Sequence, residues 1–251
     1  MRRCSVLLPC VVLLSLAGGN ASSVFAQTAA APPAVAPGKF DRYLFPLSAL
    51  KTTPDVTTDV SAAPETREWA DKAAVLVREW FPHVCQLLAT DSFNPPRTIR
   101  LVFKPNIGAP AYAAGDTITV DSNWITQHPD DFGMMIHELT HIIQAYPGGG
   151  NKPGWLVEGI ADYVRWWRYE PEAPRPRINP ETAKYTDSYR TTAAFLAWVS
   201  FKYDRGLVRQ LDSALRQKTY RPEIFTERTG KSLDALWDEY KATLPPVRPA
   251  S

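Results

Sequence analysis

The sequence His137-Glu138-Leu139-Thr140-His141 lies in a segment, residues 131–146, whose apolar residues recur at helical spacing. Side chains four positions apart on a helix share one face, one turn above the other. Both histidines therefore project from the same face of a predicted helix. The apolar residues of the segment form the opposite face, so the helix is expected to pack on one side and to turn His137, His141 and Gln144 towards a shared site.

Two imidazoles one turn apart can bind the same metal ion, and this HExxH spacing is typical of zinc-dependent hydrolases. Glu138 is displaced by about 100° around the helix. From there it can accept a proton from a metal-bound water. The competing interpretation is that His137 and His141 are ordinary helix residues with hydrogen-bond partners and that Glu138 is solvated.

A second pair of polar residues follows in an apolar helix predicted over residues 155–169. Glu158 and Asp162 are again four positions apart, among tryptophan and valine residues. Carboxylates in such surroundings are costly without cations. Glu158 is therefore the predicted third zinc ligand. Asp162 is predicted to accept a hydrogen bond from the second ring nitrogen of a liganding histidine, with His137 as the first choice.

Two alternatives stay open for this second pair. The carboxylates could form ordinary salt bridges, in the case of Glu158 with Arg165 or Arg168. A different histidine could also supply the third ligand, either His83, in proline-flanked sequence after a helix, or His128, in a loop before a proline.

The remaining pattern predicts a mainly helical α+β domain with a small sheet. Alternating β-branched residues predict strands at residues 98–103 and 117–120. One long helix is predicted over residues 65–88, with Pro82 as a point where it could break. From residue 130 onwards nearly everything is predicted helical, and the predicted helices span residues 131–146, 155–169, 188–203, 207–215 and 232–244, the last with Ser232 as N-cap.

The first 26 residues have the pattern of a cleavable signal peptide: two arginines precede an apolar run of 12 residues, and small residues follow. The run is too short to span a bilayer. Residues 27–38 are rich in alanine and proline and predict a linker, residues 39–246 a single domain and residues 247–251 a loose tail. We expect export to the periplasm, the cell surface or the medium.

The net charge does not point to a nucleic-acid or membrane partner, and the cysteine content does not point to a disulfide. The chain has 28 basic and 26 acidic residues, a net charge of +2, and the two arginines of the signal account for this excess. The mature chain is therefore neutral, which gives no indication of nucleic acid or of stable membrane association. Only Cys85 of the three cysteines lies beyond the signal, so no intramolecular disulfide is expected. The oligomeric state is left open.

The segments HELTHIIQ (137–144) and GWLVEGIADYVR (154–165) together resemble the basic secretory protein family, secreted metallopeptidases of plants, fungi and bacteria. More broadly, they are similar to the gluzincins, thermolysin-like metallopeptidases whose glutamate ligand lies four residues before an aspartate. Weaker similarity extends over most of residues 60–244. Members of the family are basic, and the neutral mature chain departs from that pattern.

The resemblance implies a zincin-like catalytic domain with one zinc ion per chain. Its ligands would be His137, His141 and Glu158, and Glu138 would be the general base. Asp162 would accept a hydrogen bond from a liganding histidine. Tyr189 matches the place of the tyrosine that stabilises the oxyanion in related peptidases, although a core tyrosine is an equal alternative. Residues 111–120 correspond to the strand edge that aligns substrate, or to a plain hairpin strand. Trp155, Trp166 and Trp167 are expected in the core rather than as subsite walls.

The predicted function is zinc-dependent hydrolysis of a peptide or protein substrate, with endopeptidase activity as the default. The main alternative is a non-proteolytic secreted binding or defence protein with a structural zinc site, since bound metal stabilises a fold. Glu138 argues against it, because a structural site needs no base. A zinc hydrolase acting on another bond is the third possibility.

Overall fold

The computed structural model describes residues 54–89 and 93–246. The predicted signal peptide, linker and tail lie outside these ranges. Within them, no helix combines the length and the apolar character needed to cross a membrane.

A small mixed sheet forms one part of the domain, in the strand order β1–β2–β4–β3. Strands β1, β2 and β4 are parallel, and β3 pairs antiparallel with β4, so β3 lies at an edge. The alternation in β2 buries Ile99, Leu101 and Phe103. The strands are β1 (Asp55–Asp59), β2 (Thr98–Lys104), β3 (Ala111–Ala114) and β4 (Thr117–Asp121).

Helices make up most of the described chain, which confirms the mainly helical α+β class. They are α1 (Arg67–Leu87), α2 (Ser122–Gln127), α3 (Gly133–Gln144), α4 (Gly154–Val164), α5 (Tyr189–Lys202), α6 (Leu207–Arg216), α7 (Glu223–Thr229) and α8 (Leu233–Lys241). The Ser232 hydroxyl caps α8 by accepting a hydrogen bond from the Ala235 N–H at 3.2 Å. Strand β1 and the short helices α2 and α7 were not predicted.

The long helix predicted over residues 65–88 is confirmed without a break at Pro82, whereas the expectation that nearly everything after residue 130 is helical is too broad. Helix α1 continues through Pro82, because Phe81, Val84 and Cys85 are buried on either side of it and tertiary packing outweighs the lost hydrogen bond. Residues 170–188 form neither helix nor strand. This connection contains prolines at positions 171, 174, 176 and 180, each of which disfavours helix at the residue before it.

Helix α3 packs against α1, α4 and the edge strand β3. The carboxylate of Glu170 lies against its N-terminal end, so close to Gly133 that a Cβ atom there would meet it at 2.3 Å. Arg165 links Glu170 to Asp131, with an Nη2–Oδ1 distance of 2.5 Å to Asp131 and an Nε–Oε2 distance of 3.4 Å to Glu170.

A buried ion pair holds the C-terminal end of α3. Arg216 donates to the Ile143 carbonyl at 2.7 Å and pairs with Asp212 at 2.9 Å. Asp212 is fully buried and also accepts hydrogen bonds from the Tyr146 hydroxyl and the Ala89 N–H, at 2.7 and 2.8 Å. Both ends of the helix that bears the histidines are therefore fixed to distant parts of the chain.

Candidate metal centre and active-site cleft

Three potential metal ligands converge between α3 and α4. The Nε2 atoms of His137 and His141 are 3.0 Å apart. Oε2 of Glu158 lies 3.2 Å from the first and 3.4 Å from the second. Among the described residues, these three form the one cluster of histidine, cysteine and carboxylate groups suited to a metal ion.

Both imidazole rings are oriented by hydrogen bonds on their other nitrogen. Nδ1 of His137 lies 2.7 Å from Oδ1 of Asp162, and Nδ1 of His141 lies 2.8 Å from Oε1 of Gln144. The Gln144 amide donates to the Val157 carbonyl at 3.1 Å, which leaves its oxygen free to accept. Each Nδ1 therefore carries the proton, and each Nε2 presents a lone pair to the cluster.

This donor set fits a zinc ion. Two nitrogen lone pairs and a carboxylate oxygen facing one another repel unless a cation lies between them. Ligands of a tetrahedral zinc at about 2.0–2.1 Å have donor atoms about 3.3 Å from each other. The observed separations of 3.0 to 3.4 Å are close to that spacing.

The electrostatics of the cluster also favour positive charge. Burial opposes the charged form of His137, but its hydrogen bonds with Asp162 and Glu158 outweigh this and raise its pKa to about 9. Burial likewise opposes the charge on Glu158, yet the two histidines lower its pKa to about 2. Without metal, a proton on His137 supplies the positive charge that balances these carboxylates. A bound cation would supply that charge instead.

Glu138 lies beside the cluster on the side of the sheet edge. Its carboxyl group is buried, and burial raises its pKa, while the nearby histidines and the Ala113 N–H of β3 act in the opposite direction. A carboxylate with a raised pKa, next to a metal site, has the properties of a general base. Its contact with Ala113 also fixes the distance between α3 and the edge strand.

The cluster opens into a cleft of about 810 Å³. Its walls come from the edge strand, α3, α4 and the start of α5. The lining residues include Ala111, Tyr112, Ala113, Met134, Lys152, Arg165, Trp166, Tyr189 and Arg190, together with the ligand set and Glu138. The edge strand and the cluster therefore share a single cavity.

Tyr189 begins α5 and lines this cleft. Its ring lies 6.1 Å from the His137 ring at an interplanar angle of 22°, and the residue is 55% exposed. Ser188 and Tyr189 both have positive φ, 64° and 45°, so the chain turns sharply before the helix. The negative charge of Glu158, followed by partial burial, raises the pKa of the Tyr189 hydroxyl. The residue is thus not the core tyrosine of the alternative interpretation.

The structure separates the rival residues from the cluster. Arg165 pairs with Asp131 and Glu170 rather than with Glu158, and Arg168 lies over the Tyr163 ring. His83 packs beside Trp80, and His128 stacks on Trp124 with 3.9 Å between ring centroids. Neither histidine belongs to the metal cluster.

The expectation for the three tryptophans is partly wrong. Trp167 is buried and Trp155 packs against the core, as predicted. Trp166 also packs against the core, but in addition it lines the cleft. It follows α4 in a π-helical turn, residues 165–169, which was predicted as regular helix.

Two contacts of the site were not predicted. Gln144 was placed on the polar face with His137 and His141, but its hydrogen bond to His141 was not foreseen. The N–H of Ala113 carries no sequence signal, since any residue could supply it.

Fold and cluster together define a mainly helical α+β protein with a candidate three-ligand metal centre in an open cleft. Residues 57–240 match the sequence model of the BSP family, described as peptidase of plants and bacteria, and the chain belongs to this family. The resemblance to the basic secretory protein family is thereby confirmed. Membership in a peptidase family implies a peptide or protein substrate. No curated protein and no solved structure matches the chain.

Proposed function

We propose that this protein is an exported zinc-dependent metallopeptidase of the gluzincin type, with endopeptidase activity as the default. The observation that carries the proposal is the convergence of His137, His141 and Glu158, with donor atoms 3.0 to 3.4 Å apart, beside the buried carboxyl group of Glu138. A purely structural metal site would need neither an adjacent base nor an open cleft.

Zinc, when bound, supplies Lewis-acid chemistry: it lowers the pKa of a coordinated water to about 7 and polarises a carbonyl. Glu138 accepts the proton of the attacking water and passes it to the leaving amine. Tyr189 donates its hydroxyl hydrogen to the oxygen on which negative charge develops. Asp162 and Gln144 hold the two imidazoles in the required orientation.

Strand β3 offers an edge for substrate alignment. An extended peptide can add to such an edge through main-chain hydrogen bonds, with its side chains directed alternately into the cleft and away from it. Ala111 and Ala113 line the same cavity as the metal ligands, and their small side chains leave room for substrate. A peptide bound there would present a backbone carbonyl towards the metal centre.

Zinc content and Glu138 dependence test the proposal together. The full chain is expressed so that it can be exported, purified without a metal-affinity tag, and its zinc content measured by elemental analysis. We expect about one zinc per chain and cleavage of an unstructured protein substrate. Glu138→Gln should retain zinc but lower kcat/KM by roughly 100- to 10,000-fold.

The outcomes distinguish the competing functions. Zinc without any Glu138-dependent cleavage of peptides would favour the structural metal site of a binding or defence protein. Hydrolysis of esters but not of peptides would favour another hydrolase class. Absence of zinc after reconstitution would contradict the proposal outright.

Export is proposed from residues 1–26 alone. Mass spectrometry of the protein recovered outside the cytoplasm should show a chain beginning near residue 27. Recovery of the intact chain from the cytoplasm alone would contradict this part of the proposal.

A further inference from the structure

One end of the cleft has a cationic wall. Arg165 and Arg190 both lie over the Trp166 ring, with 4.2 and 4.0 Å between the guanidinium carbon and the ring centroid. All three residues line the cavity that contains the metal cluster. Arg165 bonds to Asp131, two residues before α3, so this wall lies towards the N-terminal end of α3.

The two arginines differ in how their charge is balanced. Arg165 is neutralised by Asp131 and Glu170, and its side chain is 16% exposed. Its guanidinium therefore supports the wall and has little free capacity to bind a ligand.

Arg190 pairs with no carboxylate among the described residues. Its Nη2 donates to the Pro174 carbonyl, and its Nε is buried without a hydrogen-bond partner in the same part of the chain. Of the five N–H donors of a guanidinium, the two of Nη1 and the second of Nη2 therefore remain for a ligand, whereas the buried Nε is out of reach. Glu170 acts on this guanidinium only at longer range, and Arg175 adds a like charge nearby.

Stacking on Trp166 restricts the orientation of the Arg190 guanidinium. A planar guanidinium held in this way favours a carboxylate, which it can bind through two parallel hydrogen bonds. The part of the cleft around the cluster disfavours such a group, because Glu138 and Asp162 add negative charge beside the ligand Glu158; Lys152 is another cation in the lining. An acidic substrate group is therefore directed to the Arg190 wall.

We infer that Arg190, stacked on Trp166, forms a specificity subsite for a carboxylate of the peptide substrate. The inference rests on the proposed peptidase function. Because Arg190 directly follows Tyr189, whose ring lies beside that of His137, the subsite accepts a residue close to the scissile bond. The favoured carboxylate is the side chain of glutamate or aspartate.

The test uses quenched fluorescent peptides that are acetylated and amidated at their ends. Each position around the cleavage site is varied among Glu, Gln and Lys, and kcat/KM is measured with the zinc-loaded full chain. At one position we expect Glu to be preferred over Gln by roughly 10- to 100-fold, which corresponds to a charge-assisted hydrogen bond.

Arg190→Gln should bring the Glu/Gln ratio at that position to about one. Arg190→Lys, which keeps the charge but loses the planar fork, should leave an intermediate ratio. Arg177→Gln is the matched control, because Arg177 is exposed and does not line the cavity. It should preserve the wild-type ratio, and circular dichroism verifies that each variant is folded.

The outcomes distinguish failure of the proposed peptidase function from failure of the Arg190 subsite. If no peptide of any composition is cleaved, the proposed function fails. If peptides are cleaved with equal Glu and Gln rates at every position, or if Arg190→Gln and Arg190→Lys both leave the ratio unchanged, the subsite is refuted. A second set of the same peptides with a free C-terminus distinguishes the source of the carboxylate: an Arg190-dependent preference found only in this set would refute the side-chain subsite and assign the carboxylate to the chain terminus.

Discussion

Gly159 packs directly against the side chain of Thr192, where α4 contacts α5. A Cβ atom at Gly159 would lie 2.2 Å from Cγ2 of Thr192, well inside any tolerated contact. The Thr192 hydroxyl is fixed by a hydrogen bond to the Tyr185 carbonyl at 2.6 Å, so its methyl group cannot easily turn away. Since Gly159 follows the candidate ligand Glu158, this contact also determines how closely α5 approaches the metal cluster.

Gly159→Ala should destabilise the protein by about 1–3 kcal/mol, the usual range for overpacking, despite the helix propensity of alanine. Chemical denaturation measures the change in the free energy of unfolding. Gly154→Ala is the matched control, because a Cβ atom there would contact nothing within 4 Å. Adding Thr192→Ser removes the methyl group at 2.2 Å and keeps the hydroxyl, but it leaves the Cβ atom of residue 192 at 2.7 Å, so it should restore only part of the loss. A stable single variant would show that α4 and α5 are further apart.

The hydrogen bond between His137 and Asp162 should govern metal affinity. Asp162→Ala is expected to weaken zinc binding by roughly 10- to 100-fold, because the ring loses its orientation and the charge that supports it. Asp162→Asn, which still offers an oxygen acceptor, should lose less. Competition with a chromophoric zinc chelator measures the affinity. Equal affinity in wild type and Asp162→Ala would remove Asp162 from the metal site.

Metal removal should lower thermal stability. A ligand that binds only the folded state stabilises it by RT ln(1 + [L]/Kd), about 2.7 kcal/mol at 100 times Kd. Dialysis against a chelator should therefore lower Tm, and added zinc should restore it. Glu158→Ala should show a much smaller zinc-dependent shift, since one of three ligands is gone. A Tm that is insensitive to zinc in the wild type would contradict the candidate site.

Asp212→Asn should be strongly destabilising. The substitution leaves the buried Arg216 guanidinium without its counter-charge, and breaking such a pair typically costs about 3–5 kcal/mol. Urea denaturation measures the loss in the free energy of unfolding, and thermal denaturation measures the accompanying fall in Tm. Glu68→Gln serves as control, because its ion pair with Lys72 is fully exposed and its loss should leave Tm unchanged. Similar Tm values for both variants would show that the Asp212 network is not structurally important.

Cys85 should report on unfolding. Burial raises the pKa of its thiol to about 12, against about 8.5 in an unfolded chain. At pH 9 the unfolded thiol therefore ionises and the folded one does not, so between these values rising pH favours unfolding. Iodoacetamide at pH 9 should modify Cys85 only in denaturant, as followed by peptide mass mapping. Rapid modification of the native protein would show that α1 opens locally.

Several features could be predicted because they depend on neighbours in sequence. Helical spacing of four residues predicted that His137 and His141 share a face, and the same spacing predicted the relation between Glu158 and Asp162. The alternation in β2 and the Ser232 cap are local in the same sense. Such features follow from backbone geometry that is nearly independent of the rest of the fold.

Other features required the tertiary structure. Strand β1 and the sheet order depend on pairing between distant segments, and continuation of α1 through Pro82 depends on burial against the rest of the core. The contact of Ala113 with Glu138 joins β3 to α3 through a backbone group with no residue preference. Long-range contacts of this kind have no sequence period, because they depend on how the elements pack in space.

For this protein, the sequence by itself determined the ligand pair on α3, the second carboxylate pair on α4 and the mainly helical class, since each follows from periodicity within one element. Only the tertiary structure decided which charges meet. In the folded chain Arg165 pairs with Asp131, and Gln144 bonds to His141. Arg190 lines the cleft and has no carboxylate partner among the described residues. Charge pairing depends on distances of a few ångströms between elements, and such distances are fixed only when the helices and the sheet pack together.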